Sequence, residues 1–144
     1  MKALGLAAGL TLIGLPATAD HPTTVYLMGF EPGTTAPSSG ERAAFDEIPH
    51  IPGWMAQYPS YRCFVVEGHA NGRDATDSMR LSAARVEVVR DLLVASGARP
   101  GRLIPTPLGQ EPYRDGRGIE FPPKANDVVA VRPNRPDEPC PDQG

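Results

Sequence analysis

The feature that most constrains this chain is an amphipathic helix predicted over 78–96, because its apolar side must be covered by another layer of structure. Its apolar residues recur at spacings of three and four and form one broad stripe: Leu81, Ala84, Val88, Leu92 and Ala95. Asp77 or Ser78 can cap the first turn. Gly97 suits the left-handed position that follows a helix, and Pro100 prevents continuation. The sequence therefore predicts one long helix packed on a sheet.

Four runs rich in apolar and β-branched residues supply the predicted strands. They span 23–30, 61–68, 102–109 and 126–133. The second run is almost continuously apolar, which is typical of a central strand covered on both faces. The third contains Pro105 and Pro107, which cannot donate hydrogen bonds to a neighbouring strand. We therefore expect the third strand to be short or to lie at a sheet edge.

A second, interrupted helix is predicted between the first two strands. Helical composition covers 41–48 and resumes over 53–59, and Pro49 and Pro52 break the pattern between them. The resulting order is strand, helix, strand, helix, strand, loop, strand. It predicts an α/β fold, a two-layer sandwich in which two main helices cover a small mixed four-stranded sheet.

The two ends of the chain differ in composition from the middle. Residues 1–19 combine Lys2, an apolar stretch and small residues ending at Ala19, which is typical of a secretory signal peptide cleaved after that residue. The alternative, a retained membrane anchor, is disfavoured because the apolar stretch is short. We expect 20–133 to form one exported domain with no further transmembrane segment. The proline-rich segment 134–144 is expected to be a flexible tail unless a cysteine anchors it.

Two cysteines, Cys63 and Cys140, fit export to an oxidising compartment. A disulfide between them would tie the tail to the sheet and stabilise the fold by roughly 2 to 4 kcal/mol. The alternative is a buried Cys63 in a strand and a free Cys140 in the tail. The sequence leaves both alternatives open.

Charge and motifs exclude several classes of function. The 144 residues carry a formal net charge of -3, and the lysines and arginines are scattered, so we expect no nucleic-acid partner. The sequence has no Gly-x-Ser-x-Gly, His-Glu-x-x-His or Cys-x-x-Cys motif and no phosphate-binding loop, so we expect a protein that is not an enzyme and has no cofactor. His69 with Asp74 and Asp77 is a conceivable metal site, but a lone loop histidine is more often a hydrogen-bonded structural residue.

The middle of the chain carries a more specific pattern. The segments "VVEGHANG", "RLSAARVEVVRDLLVASGARPGRLIPTPLGQEP" and "KANDVVAV" resemble the OmpA-like, peptidoglycan-associated domain, over about 61–131. That family has an apolar strand, Gly-His-Thr-Asp, a glycine-containing loop, Leu-Ser-x-x-Arg opening a helix, and a closing Asn-Arg-Arg-Val strand. The spacing from Gly68-His69 to Leu81-Ser82-x-x-Arg85 is the specific part of the resemblance.

The resemblance implies a peptidoglycan site. In that family an aspartate of the Gly-His-Thr-Asp loop and the arginine of Leu-Ser-x-x-Arg hold the zwitterionic diaminopimelate end of a stem peptide. A guanidinium can bind a carboxylate through two charge-assisted hydrogen bonds, and an acidic partner takes the ammonium. Arg85 stands at the arginine position, and Asn71 stands at the aspartate position.

Several positions of the implied site depart from the family. Asn71 supplies no charge to an ammonium, which removes roughly 1 to 3 kcal/mol of charged hydrogen bonding. Asp74 is the preferred substitute, because Asp77 is expected to cap the helix. Ala70 replaces the threonine, and Asn126 is followed by Asp127 instead of the family's first closing arginine. The candidate peptidoglycan-binding residues are Arg85, Asn71, Asp74, His69, Ala70 and Asn126.

Three interpretations follow from this pattern. The first is an exported domain in the periplasm, associated with the cell wall or outer membrane, that binds peptidoglycan non-covalently through the diaminopimelate-type stem peptide. The second is a diverged OmpA-like fold that interacts with other envelope proteins and does not bind the wall. In the third, Arg85 merely forms a surface ion pair with Asp74 or Asp77. The first interpretation requires that the guanidinium of Arg85 is open to an external acidic group. Burial of Arg85 would therefore contradict this interpretation.

Overall fold

The structure is a computed structural model, and it describes residues 25–40, 42–57, 63–114, 126–135 and 137–141. The predicted signal peptide lies outside these residues and stays a prediction. Within the described ranges, no helix is both long enough and apolar enough to span a bilayer.

A mixed four-stranded sheet forms one layer, as predicted. Its strands are β1 (Tyr26–Gly29), β2 (Phe64–Gly68), β3 (Leu103–Pro107) and β4 (Val128–Pro133), in the spatial order β1-β4-β2-β3. β4 pairs antiparallel with both β1 and β2, whereas β3 runs parallel to β2. β3 is therefore an edge strand, as expected from its two prolines. β2 is buried at all five positions, as expected for a central strand.

The second layer consists of helices on one face of the sheet. The first helical region is interrupted, as predicted: α1 (Arg42–Asp46) and α2 (Ile51–Ala56) are separated by a 3₁₀ turn. Pro52, predicted to break the helix, lies instead in the first turn of α2, where the missing N–H costs nothing. α3 (Ala75–Ala95) is the long helix. The core between the layers is formed by residues of both, including Met28, Phe64, Val66, Val129 and Val131 of the strands and Ile51, Met55, Val86, Val89 and Leu93 of the helices.

The start of α3 differs from the prediction. The helix begins at Ala75 instead of Ser78, and its N-cap is Asp74, whose side chain accepts a hydrogen bond of 2.8 Å from the backbone N–H of Asp77. The sequence offered Asp77 or Ser78 as caps, and this was wrong, because an acidic residue three positions earlier satisfies the first turn. At the C-terminal end, Gly97 has a positive φ of 109°, as predicted for the residue that follows the helix.

The C-terminal segment is attached to the face of the sheet opposite the helices. Cys140 forms a disulfide with Cys63, so the bridged alternative is the one observed. Arg132 on β4 donates from its Nη1 and Nη2 atoms to the two carboxylate oxygens of Glu138, at 2.7 Å each. Its Nε donates to Glu67 on β2 at 3.0 Å. A cysteine therefore anchors the C-terminal segment, which is the exception that the sequence analysis allowed to a flexible tail.

Candidate functional site

Arg85 lies at the centre of the implied site and is fully buried, with a side-chain exposure of 0%. Its guanidinium faces the ring of Phe30 at 5.1 Å from the centroid. Its Nε donates to the carbonyl of Thr34 at 2.8 Å, and its Nη2 donates to the carbonyl of Glu31 at 3.0 Å. Both carbonyls belong to the loop after β1, so the arginine of α3 holds that loop against the helix.

The charge of Arg85 is neutralised from within the domain. Its Nη1 donates to the Oδ1 atom of Asp127 at 2.7 Å and to the carbonyl of His69 at 3.1 Å. Asp127 precedes β4, and its side chain is 15% exposed. The same Oδ1 accepts a long hydrogen bond of 3.4 Å from the backbone N–H of Asn71. One buried ion pair therefore joins α3, the loop after β2 and the start of β4.

These contacts correct the expectation that Arg85 is open to an external acidic group. The side chain lies beneath packed neighbours, and four of its five N–H groups have acceptors in the protein. The alternative of a surface pair with Asp74 or Asp77 is also wrong, because the observed partner is Asp127 and the pair is not on the surface. The physical reason is the acidic residue at position 127, where the family pattern has an arginine.

His69 and Ala70 point into the domain as well. The Nε2 atom of His69 lies 2.7 Å from Oε1 of Glu67, and its Nδ1 atom contacts the carbonyl of Glu111. A carbonyl can only accept, so Nδ1 carries a proton, and both ring nitrogens are occupied. Ala70 is fully buried, and its N–H donates to the carbonyl of Gly109 at 2.9 Å. In this structure both residues stabilise the conformation of the loop after β2.

The remaining predicted residues lie nearer the surface. Asn71 and Asp74 are exposed, and Asn126 is partly buried. The carboxylate of Asp74 is engaged as the helix cap, which makes it a poor substitute for the family's aspartate. Asp77, assigned that capping role from the sequence, accepts instead from Arg73 and from the Nη2 atom of Arg80, the latter at 2.7 Å.

Two further residues of the sequence pattern have structural roles. Ser82 donates from its hydroxyl to the carbonyl of Met79 at 2.9 Å and accepts from the N–H of Gly109 at 3.0 Å. A Cβ added to Gly68 would lie 2.5 Å from the Val86 side chain. The helix therefore approaches the end of β2 closely only because that residue is glycine.

A buried polar network continues from His69 across the sheet. Burial raises the pKa of the Glu67 carboxyl, but the hydrogen bond from His69 and the charges of Arg132 and His69 outweigh this effect and leave that pKa below its ordinary value. The hydrogen bond from Arg132 likewise lowers the pKa of Glu138. Burial lowers the pKa of Arg132, but its two carboxylate partners more than reverse this. The carboxylates of Glu67 and Glu138 and the guanidinium of Arg132 are therefore charged at neutral pH.

The part of the chain that the structure describes contains no group of three His, Cys, Asp or Glu side chains arranged to hold a metal ion. The conceivable metal site with Asp74 and Asp77 requires a free ring nitrogen on His69. Both ring nitrogens of His69 have partners inside the protein instead. No nucleophile paired with a general base is found among the contacts that surround Arg85. What the arrangement can do chemically is hold one carboxylate against one guanidinium.

Comparison with solved structures gives the fold a name. The C-terminal domain of Helicobacter pylori MotB superposes with a TM-score of 0.58 at 18% identity, covering 77% of this chain and 85% of that one. The OmpA-like domain of FopA1 from Francisella tularensis gives 0.57 at 17% identity, covering 77% of this chain and 73% of that one. The chain has the fold of OmpA-like domains.

A third structure with this OmpA-like fold is the peptidoglycan-associated lipoprotein of Burkholderia pseudomallei. It gives a TM-score of 0.57 at 16% identity, covering 76% of this chain and 90% of that one. No protein-family model matches the chain, and no curated protein matches it. The fold predicted from the sequence resemblance is confirmed, and sequence identity in this range shows no more than the fold.

Asp127 is a site residue that was not predicted from the sequence. The available signal is the aspartate itself, which stands where the family pattern has an arginine and can therefore pair with Arg85. The structure shows that this position supplies the charged partner of Arg85. Asn71, which stands at the aspartate position of the family, contacts the same carboxylate through its backbone N–H.

Proposed function

We propose that this protein is a non-enzymatic module of the cell envelope, with an OmpA-like fold, that acts through contacts with other envelope proteins and does not bind peptidoglycan. The observation that carries the proposal is the buried ion pair between Arg85 and Asp127 at 2.7 Å. A ligand carboxylate would have to compete with a carboxylate that is already part of the chain. Because a buried guanidinium left without a counter-charge costs about 3 to 5 kcal/mol, Asp127 leaves only when another carboxylate replaces it.

The proposed location is the periplasm, in association with the wall or the outer membrane. The disulfide between Cys63 and Cys140 supports an oxidising compartment, because such bonds persist outside the cytosol. The predicted signal peptide is consistent with the same location. Within this proposal the domain is a binding or structural module, since the contacts around Arg85 provide no reacting group.

Peptidoglycan binding is the second candidate function. It is favoured by the layout: the Asp127 carboxylate that pairs with Arg85 is 15% exposed and accepts from the backbone of the exposed Asn71, so an incoming zwitterion could displace that carboxylate. The likeness to a peptidoglycan-associated lipoprotein supports the same candidate. In this second function Arg85 takes the ligand carboxylate after Asp127 moves aside.

Co-sedimentation with purified sacculi tests the two functions. The wild-type protein is incubated with sacculi beside two variants, Arg85→Lys and Arg80→Ala, the second of which changes a largely exposed arginine. The proposed function predicts that none of the three is retained above an unrelated exported protein. Retention of the wild type and of Arg80→Ala, together with loss of Arg85→Lys, would establish the second function instead. Equal retention of all three would also contradict the proposal, since it would mean wall binding through another surface.

A further inference from the structure

We infer that Asp127 is an internal ligand of a carboxylate-binding site and is the residue that prevents the domain from accepting an external carboxylate. The inference deepens the proposed function and rests on it, because it names the residue through which wall binding at Arg85 is excluded. The ligands of such a site are small carboxylates, and Asp127 is the residue that determines whether they bind.

The partners of Arg85 differ in kind. Three are backbone carbonyls, those of Glu31, Thr34 and His69. They are fixed by the loops and carry no net charge. The fourth is the carboxylate of Asp127, which is the charged group that contacts the guanidinium within the described part of the chain. A buried guanidinium requires a counter-charge, so the fold as a whole builds a receptor for one carboxylate.

The resident carboxylate lies on the solvent side of this receptor. The side chain of Arg85 is 0% exposed, whereas that of Asp127 is 15% exposed. Truncation at Asp127 therefore removes the group between the guanidinium and solvent and leaves the three carbonyls in place. Formate has the same three heavy atoms as the carboxylate that the truncation removes, so it matches the space created, whereas acetate carries one further methyl and should rescue less well.

The test is chemical rescue of the variant Asp127→Ala. Thermal unfolding is followed at pH 7 in sodium chloride, sodium formate and sodium acetate at equal ionic strength. We expect the variant to melt well below the wild type in chloride and to regain about 3 °C or more in 0.2 M formate, because a ligand that binds only the folded state raises the melting temperature. The wild type, whose site is filled by Asp127, should shift by less than about 1 °C between the salts.

Two matched variants separate a specific rescue from a general salt effect. Val89→Ala is destabilised by a cavity in the core and has no ionic component, so formate and chloride should give it the same melting temperature. Asp127→Asn fills the space and still presents an acceptor oxygen, so it should show no preference for formate.

Failure of the rescue would overturn the inference. If Asp127→Ala does not fold in chloride, its refolding yield in formate becomes the readout, and no recovery there is also a negative result. A wild type retained on sacculi contradicts the proposed function, whereas an Asp127→Ala protein indifferent to formate contradicts the inference. The two failures are therefore distinguishable.

Discussion

Gly68 at the end of β2 lies so close to the carbonyl oxygen of Ser82 on α3 that a Cβ added to the glycine would be 2.6 Å from that oxygen. The contact sets the distance between the central strand and the long helix. It also gives a structural reason for the glycine that precedes His69 in the sequence pattern. In this chain the motif specifies how α3 sits on β2.

Substitution of Gly68 by alanine should destabilise the domain by about 2 to 3 kcal/mol, because the added methyl overpacks a contact with helix backbone. Urea denaturation monitored by circular dichroism measures the change. Gly53 in α2 is the matched control, since a Cβ there meets nothing within 4 Å and the helix should gain about 0.5 to 1 kcal/mol from alanine. A Gly68→Ala protein as stable as the wild type would show that helix and strand are not held at this distance.

Replacement of Arg85 by alanine should lower the free energy of unfolding by about 3 to 5 kcal/mol, because Asp127 is left without its partner and three backbone carbonyls lose their donors. Arg80→Ala on the same helix should cost less than about 1 kcal/mol, since Arg80 is 68% exposed where it pairs with Asp77. Denaturant titration compares the two. Similar small losses for both variants would mean that Arg85 is not the internal anchor described above.

The elements of the fold were largely predictable from the sequence. The continuously apolar β2 and the edge position of the proline-containing β3 follow from local pattern and hydrogen-bond capacity, and both are observed as predicted. The long helix is also observed, but its predicted apolar stripe was wrong beyond Leu81: Leu92 and Ala95 are exposed. The face that α3 buries carries Val86, Val89 and Leu93, because the sheet lies on that side of the helix. The start of α3 was misplaced because Asp74, Asp77 and Ser78 are all of residue types that cap helices well. Only the packed structure determines which of them satisfies the first turn.

The sequence resemblance identified several residues of the site but not how their side chains are arranged. The sequence identified Arg85, but it could not determine that the guanidinium is buried, because burial depends on where two distant loops meet it. Its partner Asp127 is 42 positions away along the chain. The same limit applied to His69, whose partners Glu67 and Glu111 enclose it from two different segments.

Stability should fall in acid as the network around Arg132 loses charge. The pKa values of Glu67 and Glu138 are both lowered in the folded state, so their contribution is present above about pH 4.5, the ordinary carboxyl value, and is lost as the pH falls through the lower folded values. Melting temperatures between pH 6 and pH 3 should therefore decline. The variant Glu138→Gln, which keeps a hydrogen-bond acceptor but does not titrate, should decline less steeply. If the melting temperatures of variant and wild type fall equally with pH, the proposed contribution of the Arg132–Glu138 pair would be contradicted.

Loss of the disulfide should destabilise the domain and release its C-terminal segment. Cys63 and Cys140 are 77 positions apart, and closing a loop of this length in the unfolded chain stabilises the folded state by about 2 to 4 kcal/mol. The double variant Cys63→Ala/Cys140→Ala should show that loss in urea denaturation, and the wild type should show it on reduction. Two titratable thiols in the denatured, unreduced wild type would refute the bridge.

A double-mutant cycle between Arg85 and Asp127 tests the central claim most directly. Unfolding free energies are measured for the wild type, Arg85→Met, Asp127→Asn and the double variant. The buried pair predicts a coupling energy of about 2 kcal/mol or more, because each single variant leaves the other group without its partner. A coupling below about 0.5 kcal/mol, as found for residues that act independently, would contradict the account.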